Sequence, residues 1–377
     1  MRILIFTPRT AGHHLEYLHH LYDGAKNKLE NNYIFLVPNS FKEVKNELEW
    51  ETAPNIEFIY LTEKESIKCN TGNYFSSSYR KCTTLKKYIL NYQITHVILI
   101  TLVHYLPFLP FILPKKVKVS GIIYRLYLYE WKSLPFIKKI KDVLEMYITA
   151  KSNMVEKGYI LNDSSAACYY NKLFKTTKFV PLADPIQKSN YIPQCIKKSL
   201  NISNDKYVYL HFGGMTKRKG TLVILDSIER MSKNDRNKFV FIFAGHIRSD
   251  IKSQFYNKYE TLKSDTNIIL FDEFCSYEKL MDLCYSCNAI LIPYENTSFS
   301  SGVLGYAALF NKPVIGPADG LLGKLIRRNK LGITINEINS ANLAHKILQT
   351  PHNNTESKKY TELNSIKAFQ EKILQDI

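Results

Sequence analysis

The sequence predicts an α/β protein made of two doubly wound domains. Short apolar runs rich in β-branched and aromatic residues alternate with amphipathic helical stretches, the signature of parallel sheets covered by helices. The runs fall into two series, parted by the polar stretch Gln187 to Asp205. At roughly 100–200 residues per domain, a chain of 377 residues also favours two.

The first series is Ile3–Phe6, Tyr33–Val37, Ile56–Leu61, His96–Thr101 and Val119–Tyr124, completed by Tyr159–Leu161 and Lys178–Pro181. The second is Tyr207–Phe212, Phe239–Ala244, Asn267–Phe271, Ala289–Pro293, Pro313–Ile315 and Gly332–Ile335. The unbroken apolar run Phe239–Ala244 fits a strand buried on both faces. Lys359–Ile377 reads as a closing helix with Leu363, Ile366, Phe369, Ile373 and Leu374 on one face. The expected boundaries are a first domain over 1–182, a second over 183–355, and a helix over 356–377 returning to the first.

Composition excludes several classes. With 45% hydrophobic and 23% charged residues the chain is neither disordered nor unusually polar, and 15 Gly and 14 Pro are too few for a fibrous protein. The 51 Lys and Arg against 34 Asp and Glu give +17, which points to an anionic partner: nucleic acid, a membrane surface or a phosphorylated substrate. Seven Cys in a long chain argue for a reducing compartment rather than a disulfide scaffold. The apolar run after Met1 is too short for a signal peptide, and prolines 107 and 110 break the stretch Val97–Leu113. A cytoplasmic protein is expected, meeting a membrane, if at all, peripherally at the inner face of the plasma membrane.

In doubly wound sheets ligands bind at the carboxyl ends of the strands, so the strand-to-helix loops carry the chemistry. The first loop, Thr7 to His14, contains Gly12 at a helix start, without the GxGxxG pattern of a dinucleotide site. His13 and His14 can face the ligand, while His19 and His20 lie further down the helix; no HExxH spacing accompanies them and no metal is expected. The second loop reads Gly213-Gly214-Met215-Thr216-Lys217-Arg218-Lys219-Gly220. Two glycines free the backbone, and three cations precede a helix that begins near Thr221, a pattern that suits a diphosphate; a basic surface turn is the plainer alternative. The third loop brings Ser300, Ser301, Gly302 and Val303 to a second helix start, where serine also serves as an ordinary N-cap. The fourth loop, after Pro313–Ile315, carries Gly320. Three such loops in one half read most simply as a nucleoside diphosphate pocket.

With those loops in view, the second half resembles the donor domain of GT-B glycosyltransferases, most like the retaining family 4 branch. The resemblance rests on Phe212–Gly220, Phe271–Leu283, Ser301-Gly302-Val303-Leu304, Asn311–Ile315, Gly320 and Leu331-Gly332-Ile333. It implies two Rossmann-like domains facing each other across a cleft, and a hexosyltransferase-type reaction with no cofactor and no metal. It places Lys219 on the family's phosphate-binding lysine. The arginine five positions before it is Gly214 here, with Lys217 or Arg218 to replace it. The family's paired glutamates, eight positions apart, fall on Ser298 and Tyr306, which leaves Glu295 as the nearest carboxylate.

Diphosphate departure builds negative charge that fixed cations and helix N-termini stabilise; Lys219, Arg218 and the amides at Ser301-Gly302 are the candidates. His13 is expected to position the sugar or the acceptor hydroxyl. Arg125, after the run Val119–Tyr124, binds an acceptor phosphate or pairs with Glu130; both readings stand. Cys284 and Cys287 form a lone CxxC assigned to packing. Residues 115–141 hold eight cations against Glu130 alone, interleaved with Tyr124, Tyr127, Tyr129, Trp131, Phe136 and Ile137. This suits an anionic membrane surface, with a solvated face as the alternative. The leading reading is a transferase that moves a sugar from a nucleotide donor to a growing, lipid-linked surface polysaccharide. The alternatives are a non-catalytic nucleotide-sugar-binding protein and a basic nucleic-acid-binding protein; nucleic acid is disfavoured because no recognition signature is present.

Overall fold

The structure, a computed structural model, describes residues 1–10, 13–48, 50–51, 53–124, 126–186, 190–298, 300–352 and 356–375. It contains two compact units, Met1–Asp184 with Ile366–Ile377, and Pro185–Ser365. The first is built on a sheet of β1 (Arg2–Phe6), β2 (Asn32–Pro38), β3 (Ile56–Leu61), β4 (His96–Leu99), β5 (Lys118–Ile123), β6 (Val155–Leu161) and β7 (Phe179–Leu182). Their spatial order is β3-β2-β1-β4-β5-β6-β7, and every pairing is parallel. The second sheet contains β8 (Tyr207–Phe212), β9 (Phe239–Ala244), β10 (Asn267–Phe271), β11 (Ala289–Leu291), β12 (Val314–Pro317) and β13 (Gly332–Ile335). Its order, β10-β9-β8-β11-β12-β13, repeats that of the first six strands and is again parallel throughout.

The apolar runs become buried strands because helices cover both faces of each sheet. In β1, Leu4 and Phe6 enter one core with Leu36, Leu99 and Met146, while Ile3 and Ile5 enter the opposite core with Phe35, Leu18 and Phe369. Every residue of Phe239–Ala244 is buried, as the sequence predicts. In both sheets the order reverses at the central pair, β1/β4 and β8/β11. The loops leaving those strands diverge there and open the crevice in which such folds hold ligands.

The end of the chain differs from the expected single helix. Ser357–Leu363 and Ile366–Leu374 are separate helices. Between them the backbone is taken up by Ile186, whose N–H donates to the carbonyl of Asn364 at 2.7 Å and which bridges to Ser365. Ser357–Leu363 stays in the second unit, and Leu363, expected on the apolar face, is exposed. The helix from Ile366 belongs to the first unit and packs on His13–Lys26 through Phe369, Ile373 and Leu374.

Candidate functional site

In the second unit, the loop after β8 folds as a 3-10 turn over Lys217–Lys219, capped by the Thr216 side chain, which accepts from the Lys219 amide. Gly220 then opens the helix Thr221–Arg230 at φ +67°, and a Cβ there would lie 2.0 Å from the Pro293 carbonyl oxygen. A side chain is therefore excluded twice, by the left-handed backbone and by the neighbouring chain. The close approach ties this loop to the one after β11, and Glu295 N–H donates to the Arg218 carbonyl at 2.9 Å.

Lys219 is the focus of this arrangement. Its ammonium lies 2.7 Å from where a Cβ of Gly213 would be and 5.6 Å from the ring centre of Tyr294, which Arg218 approaches at 5.9 Å. Tyr294 is buried and its hydroxyl meets Ser301 Oγ at 3.3 Å. Ser301 caps the helix Gly302–Leu309, accepting from the Val303 amide. Burial, followed by the charge of Arg218, lowers the Lys219 pKa to about 8. Two cations and a helix start thus converge on one tyrosine, an arrangement that attracts an anion.

The remaining expected donor residues take varied places. Lys217 and Gly214 are exposed, and the Lys217 amide donates to Asp250 Oδ2 at 3.2 Å. Ser300 is half-buried, and a Cβ on exposed Gly302 would meet nothing within 4 Å, so space is open there. Gly320 opens the helix Gly320–Arg328 at φ +67°, and a Cβ would lie 2.2 Å from Thr297 Oγ1. Its glycine lets two loops touch. Glu295 is exposed, and among the described residues its carboxylate has no hydrogen bond or ion pair. The two positions on which the resemblance puts glutamates are taken up by packing: Ser298 is buried, and Tyr306 lies against Phe212 and Tyr277 at ring distances of 5.4 and 5.7 Å.

In the first unit, Gly12 and Arg125 lie outside the described residues. His13 begins the helix His13–Lys26, exposed, with Nδ1 3.3 Å from Glu16 Oε2. That hydrogen bond raises its pKa against the opposing effect of burial, and the charge of Asp184 adds to the rise. His14 instead turns toward the strand ends: Nδ1 is 3.0 Å from Thr7 Oγ1, Nε2 is 3.4 Å from Thr101 Oγ1, and burial pushes its pKa down to about 4. A small pocket opens beside it, lined by Thr7, Arg9, Lys81, Thr101 and His104. The sequence signals neither Lys81 nor His104, because tertiary folding alone brings them to this spot. His19 packs on Trp50 at 5.0 Å, and His20 is buried against Phe369. Cys284 and Cys287 are buried free thiols. Among the described residues no group of His, Cys, Asp or Glu is arranged to hold a metal ion.

Residues 194–367 match the sequence model of the family described as Glycosyl transferases group 1. No curated protein matches the sequence. Whole-chain folds of the same kind occur in solved structures. A glycosyltransferase from Rickettsia africae is 15% identical with a TM-score of 0.69, covering 99% of this chain and 96% of that one. Anabaena HepE in complex with UDP is 11% identical, TM-score 0.68, with 99% and 98% covered. WaaG, a glycosyltransferase involved in lipopolysaccharide biosynthesis, is 13% identical, TM-score 0.66, with 99% and 98% covered. Residues 194–367 are thus similar to a glycosyl transferases group 1 domain, within a chain that has the GT-B fold.

Proposed function

We propose that the protein transfers a sugar from a nucleoside diphosphate donor to a phosphorylated or lipid-linked glycan acceptor at a membrane surface. The observation that carries this reading is Lys219: a cation withdrawn from water, joined by Arg218 and the helix start at Gly302 around Tyr294, with its pKa lowered to about 8. The reading gains support from the family match of residues 194–367 and from HepE, crystallised with UDP and with UDP-glucose. The diphosphate sits against Lys219, which meets the charge that grows as the sugar bond breaks. Retention of configuration is part of this reading. With Ser298 and Tyr306 in place of carboxylates, Glu295 supports the reacting sugar. The same two residues favour a second reading, a nucleotide-sugar-binding protein without turnover. A panel of nucleotide sugars, assayed for hydrolysis with Glu295→Gln alongside, separates the two. We expect kcat and kcat/KM of the variant to fall together, about a hundredfold. Parent-like turnover removes Glu295 from the mechanism, and absence of turnover in the parent with every donor selects the binding protein.

The membrane side of the proposal rests on the helix Phe136–Lys151, whose amphipathicity is inverted. Asp142, Glu145 and Thr149 face inward, while Phe136, Ile137, Ile140, Val143, Leu144 and Tyr147 are 44–80% exposed. The inward carboxylates are held by the fold: Glu145 accepts from Tyr74 and lies 3.4 Å from Lys141, and burial pushes Asp142 up to about 6, with the charge of Glu145 adding to it. The apolar stripe is flanked by Lys132, Lys138 and Lys139, so an anionic bilayer is the occupant whose chemistry matches. No described helix is long and apolar enough to cross a membrane. Phe136→Ser with Ile137→Ser should lower binding to phosphatidylglycerol vesicles at least tenfold, from the loss of about 1.5–3 kcal/mol per buried side chain. Co-sedimentation equal to the parent's would count against the membrane role.

A further inference from the structure

The pocket of the first unit holds a set of cations that donor binding leaves unused. It sits at the carboxyl ends of β1 and β4, where the strand order reverses, and no carboxylate is among its described lining residues. Lys81, from the helix Tyr74–Asn91, is 7% exposed. Its ammonium donates to Ser77 Oγ, one turn back on the same helix, at 2.7 Å. The charged group nearest in effect is another cation, Arg9, and burial together with that repulsion lowers its pKa. An ammonium held out of water with one neutral acceptor and a like charge beside it costs stability. Such a group is explained by a ligand that completes it.

The rest of the wall is prepared for the same ligand. Arg9 is held at the mouth by Asn70, which accepts from Nε at 2.8 Å and donates to the Pro8 carbonyl at 2.9 Å. The Thr7 hydroxyl donates to the Arg9 carbonyl at 2.6 Å, so His14 Nδ1 carries the proton in its 3.0 Å contact with that oxygen. The cavity encloses about 10 Å³, room for one water-sized group. It therefore admits one oxygen-sized group at the tip of an anion and keeps a sugar ring outside.

We propose that this pocket binds a phosphate monoester, with Lys81 as a point charge and the Arg9 guanidinium as a fork on its oxygens. That the ester belongs to the acceptor rests on the transferase reading; phosphate binding itself does not. The phosphate can come from a soluble sugar phosphate or from a polyisoprenyl monophosphate.

The test uses the full chain, as parent, Lys81→Met and Arg9→Gln. Calorimetry with glucose 6-phosphate forms one arm. Flotation with phosphatidylcholine vesicles, with and without polyisoprenyl monophosphate, forms the other. Binding in the first arm assigns a soluble source, and binding in the second alone assigns the lipid. In either case each variant should bind about ten- to a hundredfold more weakly. Lys81→Met should melt no lower than the parent, because it removes a buried unpaired charge. No binding in either arm overturns the proposal, as does parent-like phosphate affinity in the exposed Arg9→Gln variant, even if Lys81→Met fails to fold. Nucleoside diphosphate titrated into the same samples should bind parent and variants alike. Its failure to bind the parent would sink the transferase reading without touching the phosphate result.

Discussion

The β1/β4 and β8/β11 junctions occupy the same place in two sheets of the same strand order, and both collect cations. At β8/β11, Lys219 and Arg218 are chain neighbours in one turn, flanking Tyr294 beside a helix start. At β1/β4, the cations Arg9 and Lys81 come from separate elements, with His104 and His14, both with a pKa pushed down to about 4 chiefly by burial, from two more. Both lysines have lowered pKa values, with burial as the first cause and a neighbouring arginine as the second. The strand order opens a crevice at each junction, and the chemistry within it is set independently by the residues that reach it. The contiguous turn suits a diphosphate lying along a backbone; the dispersed pocket, about 10 Å³ in volume, suits the tip of a single anionic group.

The largest expected effect tests how the β8/β11 site is assembled. Gly220→Ala places a methyl 2.0 Å from the Pro293 oxygen at φ +67°. It should destabilise the second unit by about 3 kcal/mol, combining left-handed strain with a backbone clash. Thermal or denaturant unfolding checks this, and a parent-like transition would mean that the two loops do not touch. Lys219→Ala tests the charge alone. It should weaken nucleoside diphosphate binding by about 1.5–3 kcal/mol, the range for hydrogen bonds to charged groups, and leave phosphate ester binding at Lys81 unchanged. Unchanged nucleoside diphosphate affinity in calorimetry would remove Lys219 from the site, and a loss of both ligands would merge the two sites into one.

The smallest effect is a pH profile. Lys219 has a folded pKa of about 8 against an ordinary 10.5, so the free protein loses this proton as pH rises through 8. Diphosphate favours the charged form, so affinity should be full below pH 8 and fall by up to about tenfold per pH unit above it. Stability moves the other way. Between pH 8 and 10.5 the unfolded chain binds more protons at this residue than the folded one, so its contribution to stability rises with pH. Lys219→Met should flatten both trends. An affinity that stays level from pH 7 to 9.5 in the parent would place the diphosphate away from Lys219.

The difference between the junctions also explains what could be read from the residues alone. The turn Gly213–Gly220 was legible because its charges and its glycines are adjacent in the chain, and its conformation follows from local geometry. The Ser301-Gly302 helix start was legible for the same reason. The Lys81 pocket was not, since a lysine between Arg80 and Cys82 on a polar helix looks like a solvated residue; its burial comes from packing against the ends of β1 and β4. Gly320 is legible in sequence as a loop glycine, but that it makes room for Thr297 is visible only in the fold. The inverted helix Phe136–Lys151 was half legible. Its cations and aromatics are evident in the sequence, but that its acids face inward depends on Tyr74 and Lys141.

By itself the sequence determined the two-sheet architecture and the place of the thirteen described strands, five of them to the residue. Alternating apolar runs and helical periodicity are local properties that survive any detail of packing: Ile56–Leu61, Tyr207–Phe212, Phe239–Ala244, Asn267–Phe271 and Gly332–Ile335 occur as read. It also determined the Lys219 turn, for the same local reason. Tertiary structure alone decided where the chain leaves the second unit, because the helix after Ser357 is interrupted by Ile186 pairing with Asn364 and Ser365. It likewise decided which histidine turns toward the strand ends and which lysine is buried without a counterion. Side-chain environment is fixed by residues distant in the chain that the sheet brings together, and no pattern of neighbours along the sequence encodes it.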